Sequence, residues 1–518
     1  MQRRNFAIVI SVLAIPFLLQ LISCKEKIVK NKSHQQVEDG QILQGKKMAA
    51  QYCASCHALP DPSLLNSETW ENQTLPAMGP RLGIFTHIFT SYPSSRGDRN
   101  LPENYYPSQP VLTVAQWQSI IDYYTSVSPD TLPKQNRTDA IHTNDSLFGV
   151  LVPSANWNTP ATCFVFYDTV SKQIITSDIH TQNLYAYDTA LNLKDSLRFS
   201  GAIVDMAKDS GGFAACNIGI FVPTNAKAGS IEQLYIGKGQ LKKDSVPLFA
   251  GLMRPVNIKT ADLNNDGRQD ILICEFGYLK GALSWLENKG AHRYERHEII
   301  SLPGAIKTWV YDYNRDGLPD IWTLFAQGEE GIYLSVNKGN GQFESKEILR
   351  FPPSYGSTSF ELVDMNKDGF PDIVYTCGDN ADYSTILKPY HGVYIFLNDG
   401  KYNFTQKYFF PVNGCYKAIA RDFDGDGNID IATISYFADY ATQPEEGFVF
   451  LKNTGNLHLT PYSLPATQAG RWIAMDAADI DNNNKPDLIL ANCSVGPTIN
   501  KSKTDWKTGP NIMLLRQK

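Results

Sequence analysis

Apolar residues are distributed along this chain in three different ways, and each way predicts a different kind of element. Phe6 to Ile22 is one apolar run, broken by Pro16 and preceded by Arg3 and Arg4. Around residues 45–53 and again after Thr113 the spacing is helical. Trp117, Ile120, Ile121 and Tyr124 recur at i, i+3, i+4 and i+7, which lines up one apolar face, and Thr113 suits the N-cap. Further on, short apolar runs follow Asp-rich segments: Ile271-Leu-Ile, Ile321-Trp-Thr-Leu, Ile373-Val-Tyr, Ile431-Ala-Thr-Ile and Leu488-Ile-Leu. Runs of this length, bounded by turn residues, read as strands.

This division predicts a leader at 1–23, a polar and flexible tether at 24–39, a small helical domain at 40–131, a polar linker at 132–146 and a β domain at 147–518. The leader has a basic start and an apolar core of signal-peptide length. It ends in Leu21-Ile22-Ser23-Cys24. That ending resembles the bacterial lipobox, and the resemblance implies cleavage before Cys24 and its lipidation. The mature protein is then expected to be soluble in build and held in the cell envelope by acyl chains, on the periplasmic side or the cell surface.

Composition narrows the function. The net charge of -6 does not suggest a nucleic-acid partner. No phosphate-binding loop, dinucleotide fingerprint or hydrolase elbow is present. Of the 9 Cys, Cys24 belongs to the leader end and Cys53 and Cys56 to a motif of their own. Cys163, Cys216, Cys274, Cys377, Cys415 and Cys493 are left either to pair in an oxidising compartment or to serve as small buried strand residues.

The motif is Cys53-Ala-Ser-Cys56-His57 at the end of the first helical stretch. Two Cys three apart on a helical turn can both reach one porphyrin edge, with the adjacent His turned onto the iron. A zinc half-site or a redox dithiol uses the same pair. Zinc needs a second ligand pair, and the dithiol usually stands in a βαβ setting; neither is found nearby. Together with the two helical patterns, this part resembles class I cytochromes c over about 90 residues. The resemblance implies covalent haem c on Cys53 and Cys56 and proximal ligation by His57. Gly45 and Ala49 would let the first and last helices cross closely. In that family a Pro-bounded loop offers Met to the iron, which points to Met78 in Leu75-Pro-Ala-Met-Gly-Pro80 as the distal ligand. His87 is the rival, the distal position can also stand open, and Met48 reads as core.

The Asp-rich segments share one register. They are Asp262-Leu-Asn264-Asn-Asp266-Gly-Arg268-Gln-Asp270, Asp312-Tyr-Asn314-Arg-Asp316-Gly-Leu318-Pro-Asp320, Asp364-Met-Asn366-Lys-Asp368-Gly-Phe370-Pro-Asp372, Asp422-Phe-Asp424-Gly-Asp426-Gly-Asn428-Ile-Asp430 and Asp479-Ile-Asp481-Asn-Asn483-Asn-Lys485-Pro-Asp487. Side chains at positions 1, 3, 5 and 9 and the carbonyl at position 7 can supply the hard oxygen ligands of Ca²⁺. Gly at position 6 permits a positive φ, and Asn484 takes its place in the last copy. Acidic turns without metal would show the same pattern. First positions recur every 50, 52, 58 and 57 residues.

These loops resemble the FG-GAP or VCBS repeats of integrin-like β-propellers. The resemblance implies an all-β propeller of seven blades, the first two degenerate, with up to five Ca²⁺. Arg254, Lys307, Trp309, Tyr355, Lys417, Arg471 and Trp472 stand at the starts of inner strands, where they either line the channel mouth for an anionic or sugar-like ligand or pair with loop carboxylates. Three functions compete: a tethered electron carrier whose propeller docks a redox partner, an oxidoreductase with its substrate in the propeller, and a glycan-binding adhesin with an accessory haem domain. Electron transfer is the leading expectation.

Overall fold

The computed structural model describes residues 28–154, 157–237, 239–381 and 383–518. The leader and Cys24 lie outside the described residues. None of the described helices is long and apolar enough to cross a membrane.

Most of the chain is a ring of seven sheets, each built on a four-stranded antiparallel meander, arranged as a β-propeller; blades two and six carry a fifth strand. The inner strands are Thr162–Asp168, Ile203–Lys208, Pro255–Ala261, Ala305–Val310, Ser357–Val363, Cys415–Arg421 and Trp472–Ala478. The seventh blade takes its outer strand, Phe148–Leu151, from the start of the domain, where it pairs with the C-terminal strand Ile512–Gln517. The ring is thus closed by the two ends of the domain. Apolar side chains fill the space between blades; Trp322, Leu324, Phe360 and Tyr375 do so between blades four and five.

Every junction between neighbouring blades also carries a polar staple near the axis. Ile203 N–H donates to Ser177 Oγ, Ile258 N–H to Asp205 and Thr308 N–H to Asn257. Trp309 Nε1 donates to the Phe360 carbonyl, Ala420 N–H to Glu361, Lys417 Nζ to the Met475 carbonyl, and Tyr167 N–H to Asp476. These polar groups are paired across the blades.

The helical unit has its own core, built around Trp70, Trp117, Ile120 and Tyr124. Its first helix, Asp39–Tyr52, crosses its last, Val114–Val127. The crossing is close because Gly45 has no side chain: a Cβ there would lie 1.8 Å from the Ser119 carbonyl oxygen. Thr113 caps the last helix in a reciprocal box with Gln116.

The connecting segments that are described are bonded to the folded units. The part of the tether that is described is docked, not free. Asn31 bonds to the Ser126 and Ser128 backbone and to Asp130, and Ile28 packs on the helical core. The linker is docked too. Gln135 donates to the carbonyls of Lys388 and His391, Arg137 pairs with buried Glu446, and His142–Thr143 adds a parallel strand to blade six. Polar composition suggested a flexible chain at 24–39. The polar side chains instead satisfy backbone carbonyls of the folded units.

Candidate functional site: a cavity at the seam

In a four-stranded meander the turn after the inner strand and the turn before it lie on opposite faces. The Asp loops follow the inner strands, so they occupy one face of the propeller. The helical unit sits on the other. Asn225 donates to Asp98 (2.8 Å) and accepts from Leu279 N–H (2.8 Å). Tyr105 donates to the Leu279 carbonyl (3.0 Å), and Tyr390 of blade five to the Leu64 carbonyl (3.0 Å). Ile386 packs against the helical core.

Between the two parts lies a cavity of about 520 Å³. That size is in the range of small-molecule and cofactor sites. On the helical side Cys53, Cys56, His57, Met78, Trp70 and Tyr124 line it; on the propeller side Tyr278, Pro303, Gln327, Glu329, Glu330 and Ser354 are among the residues that do. The large rings are anchored by their polar edges. Trp70 Nε1 donates to the Pro62 carbonyl, Trp117 Nε1 to Tyr92, and Tyr124 to the Pro60 carbonyl. Their apolar faces are left to wall the cavity.

Cys53 and Cys56 are both free thiols. Burial, and then the neighbouring Cys56, push the Cys53 thiol up to about 11. His57 Nδ1 is 2.8 Å from the Ala58 carbonyl oxygen, an arrangement that directs the ring and leaves Nε2 without that bond. Met78, at the end of the short helix Leu75–Met78, lines the same cavity. His87 does not: it is buried elsewhere, 2.7 Å from Gln118 Oε1. Met48 packs against the helical core.

The five Asp loops are strand–loop–strand hairpins as expected, and Gly267, Gly317, Gly369, Gly427 and Asn484 all take positive φ at position 6. Asn265, Arg315, Lys367, Gly425 and Asn482 at position 4 do so as well, which the sequence reading missed. At position 1, Asp262 accepts from the N–H groups of Asp266 and Gly267, and Asp312 and Asp364 repeat the arrangement. In the fourth loop the carboxylates of Asp422, Asp424 and Asp426 come within 4.8 Å of one another.

The ninth position also works as a frame. Asp270, Asp320, Asp372, Asp430 and Asp487 are fully buried. One oxygen of each accepts the N–H of loop position 2: Leu263, Tyr313, Met365, Phe423 and Ile480. The other accepts an N–H from the third strand: Asn288, Asn337, Asn398, Asn453 and Gln517. These carboxylates tie three strands together. Burial raises Asp270 and Asp372 to about 6 and Asp430 to about 7, against the lowering effect of those bonds. The third-strand Asn residues in turn accept from Gly290, Gly339, Gly400 and Gly455 N–H. An Asn-x-Gly follows each of the first four loops in the sequence, and that was the signal available for this second turn.

The expected ring at the channel mouth is mostly committed to structure. Arg471 is fully buried against the carbonyls of Tyr436 and Val495, Trp472 donates to the Thr467 carbonyl, and Arg254 donates to the carbonyls of Gly277 and Phe221. Tyr355 stacks on Tyr390 at 4.7 Å. Lys307 remains in the channel, where burial, and then Lys417 and Lys259, push it down to about 8. The six remaining cysteines are free, with burial pushing their thiols up.

The larger part of the chain is a seven-bladed β-propeller that contains FG-GAP-like repeats, and propellers in general can bind ligands or partners. A family model described as FG-GAP-like repeat matches residues 262–323 and 312–375, which hold the first three Asp loops. Among solved structures, the chain is similar to Sqt1 of Saccharomyces cerevisiae at 10% identity, over 73% of this chain and 99% of that one, with a TM-score of 0.43. It is similar to a chain in an S. cerevisiae structure of Dbp5 bound to Nup159 and Gle1 at 8% identity, over 74% and 97%, with a TM-score of 0.42.

Proposed function

We propose that this chain is a lipid-anchored c-type cytochrome of the bacterial cell envelope that passes electrons to or from a partner docked on its calcium-stabilised propeller. The observation that carries the reading is that Cys53, Cys56, His57 and Met78 all border one mainly apolar cavity. The donor set fits haem c: two free thiols for thioether bonds, an oriented imidazole and a thioether sulfur. The walls fit as well, since Leu65, Trp70, Leu75, Trp117 and Tyr124 offer apolar faces to a macrocycle. His87 is a poor rival to Met78 because it stands apart from the cavity. A haem held this way supplies a one-electron couple, set higher by methionine than by a second histidine. The residues around it exclude water and fix the orientation of the ligands.

In this reading Cys24 carries the lipid. It lies four residues ahead of docked Ile28, so the intervening chain spans at most about 14 Å and keeps the helical unit at the lipid surface. Ca²⁺ binds through side chains at positions 1, 3, 5 and 9 and the carbonyl at position 7 of the Asp loops, and the ninth-position carboxylates also hold the frame beneath.

The test is the optical spectrum of the purified oxidised protein. A Met–iron charge-transfer band that disappears in Met78→Ala is the expected result. A haem spectrum without that band, unchanged in the variant, would remove Met78 from the reading.

A further inference from the structure

The cavity has a second chemistry that the Cys–His motif does not use. Thr74 Oγ1, Gln327 Oε1 and Ser354 Oγ are buried and have no hydrogen-bond partner among the described residues. All three residues line the cavity, and so do Arg81 and the acidic Glu329 and Glu330, whose carboxylates are engaged by Arg350 and by the N–H and Oγ of Ser357. Gln327 and Ser354 belong to the propeller. They stand on the loops after the second strand of blade four and before the inner strand of blade five. Arg81 is held at the seam by its hydrogen bond to Tyr105, which itself donates to the Leu279 carbonyl. Leaving a buried hydroxyl or carboxamide unpaired costs about 1–3 kcal/mol each. Three such groups around one cavity mark the place of a polar part of whatever fills it.

We infer that Arg81, Thr74, Gln327 and Ser354 form a carboxylate-binding end of the cavity that takes the two propionates of the haem, so that the propeller is part of the haem site. The inference rests on the haem reading above. Thioether bonds to Cys53 and Cys56 hold one edge of a porphyrin, and its two carboxylates leave from another. Arg81 supplies a guanidinium fork suited to a carboxylate. The hydroxyls of Thr74 and Ser354 donate. The Gln327 carboxamide, turned over about its last bond, presents N–H donors where its orphaned oxygen stands. Donors of this kind keep a carboxylate ionised to lower pH. Blades four and five thereby help set the potential of the haem.

The experiment compares the midpoint potential against pH for the full-length protein and the Gln327→Leu, Ser354→Ala double variant. In the native chain the propionates stay ionised, and the potential is flat down to low pH. In the variant the pH at which the potential begins to climb moves up by about one unit, with covalent haem content unchanged. Gln327→Glu, which sets a like charge against the propionates, shifts that point further in the same direction. Superimposed curves for the native protein and the variants, all carrying full haem, would overturn the inference. Should the double variant fail to fold, Ser354→Ala alone gives a smaller shift of the same sign. Absence of covalent haem from the native chain is a separate result, and it would remove the proposed function itself.

Discussion

The propeller and the helical unit differ in what their cores enclose. In the propeller each ninth-position Asp has both oxygens occupied, each blade junction is stapled, and the buried thiols are held protonated. The helical unit is built around a gap. Its aromatic core faces a cavity, its two motif cysteines are unpaired, and part of the wall comes from another domain. A fold that closes on itself is a scaffold. A fold whose core borders an opening lined by two free thiols, an imidazole and a thioether has the makings of a site.

The largest expected effect breaks the comparison at the motif. Replacing Cys53 and Cys56 together by Ala abolishes covalent haem, while the melting of the propeller is unchanged. Haem staining of denatured protein alongside calorimetry checks both halves. Next is Gly45→Val. Its side chain would run into the Ser119 carbonyl, 1.8 Å from the ideal Cβ, and should destabilise the helical unit by about 3 kcal/mol. A calorimetric trace in which only the helical transition moves would keep the two regions distinct; joint loss of both would show that the seam couples them.

Within the propeller, Asp372→Ala and Asp364→Ala separate frame from ligand. Asp372→Ala leaves two backbone donors unpaired and costs about 3 kcal/mol even without Ca²⁺. Asp364→Ala costs stability chiefly when Ca²⁺ is present, and chelation of the native protein lowers its melting temperature. Equal melting of chelated and Ca²⁺-loaded protein would contradict the calcium reading.

The smallest effect is in the channel. Lys307 has a folded-state value lowered from 10.5 to about 8, so its charge is penalised by folding. That penalty is full below pH 8, shrinks as pH rises and is gone above 10.5. Lys307→Met should stabilise the propeller by about 1 kcal/mol at pH 7, a gain that fades toward pH 10. Urea melts at the two pH values measure it.

Much of this was legible in the sequence. The Asp register fixed the hairpins, the strand after each loop and the blade period, because a metal-type loop demands its residue types at set positions. The helix crossing was legible from Gly45, Ala49 and the Trp117 face. What was not legible was contact between distant segments. Asn225 meeting Asp98, or Gln327 facing the same cavity as Cys53, depends on how a ring of blades places its loops, and no local pattern records that. The role of the cations at the channel mouth stayed open between ligand and structure for a related reason. Arg471 looks like a ligand-binding residue in sequence, but it is consumed by carbonyls from a turn 24 to 26 residues later.

The central claim is that the gap in the helical unit is a haem site. The most direct measurement is the mass and haemochrome spectrum of the denatured full-length protein, expressed with export and haem attachment intact. One haem per chain that survives denaturation, with thiol reagents unable to label Cys53 or Cys56, is the predicted result. A chain without haem whose Cys53 and Cys56 both react with the reagent would contradict it.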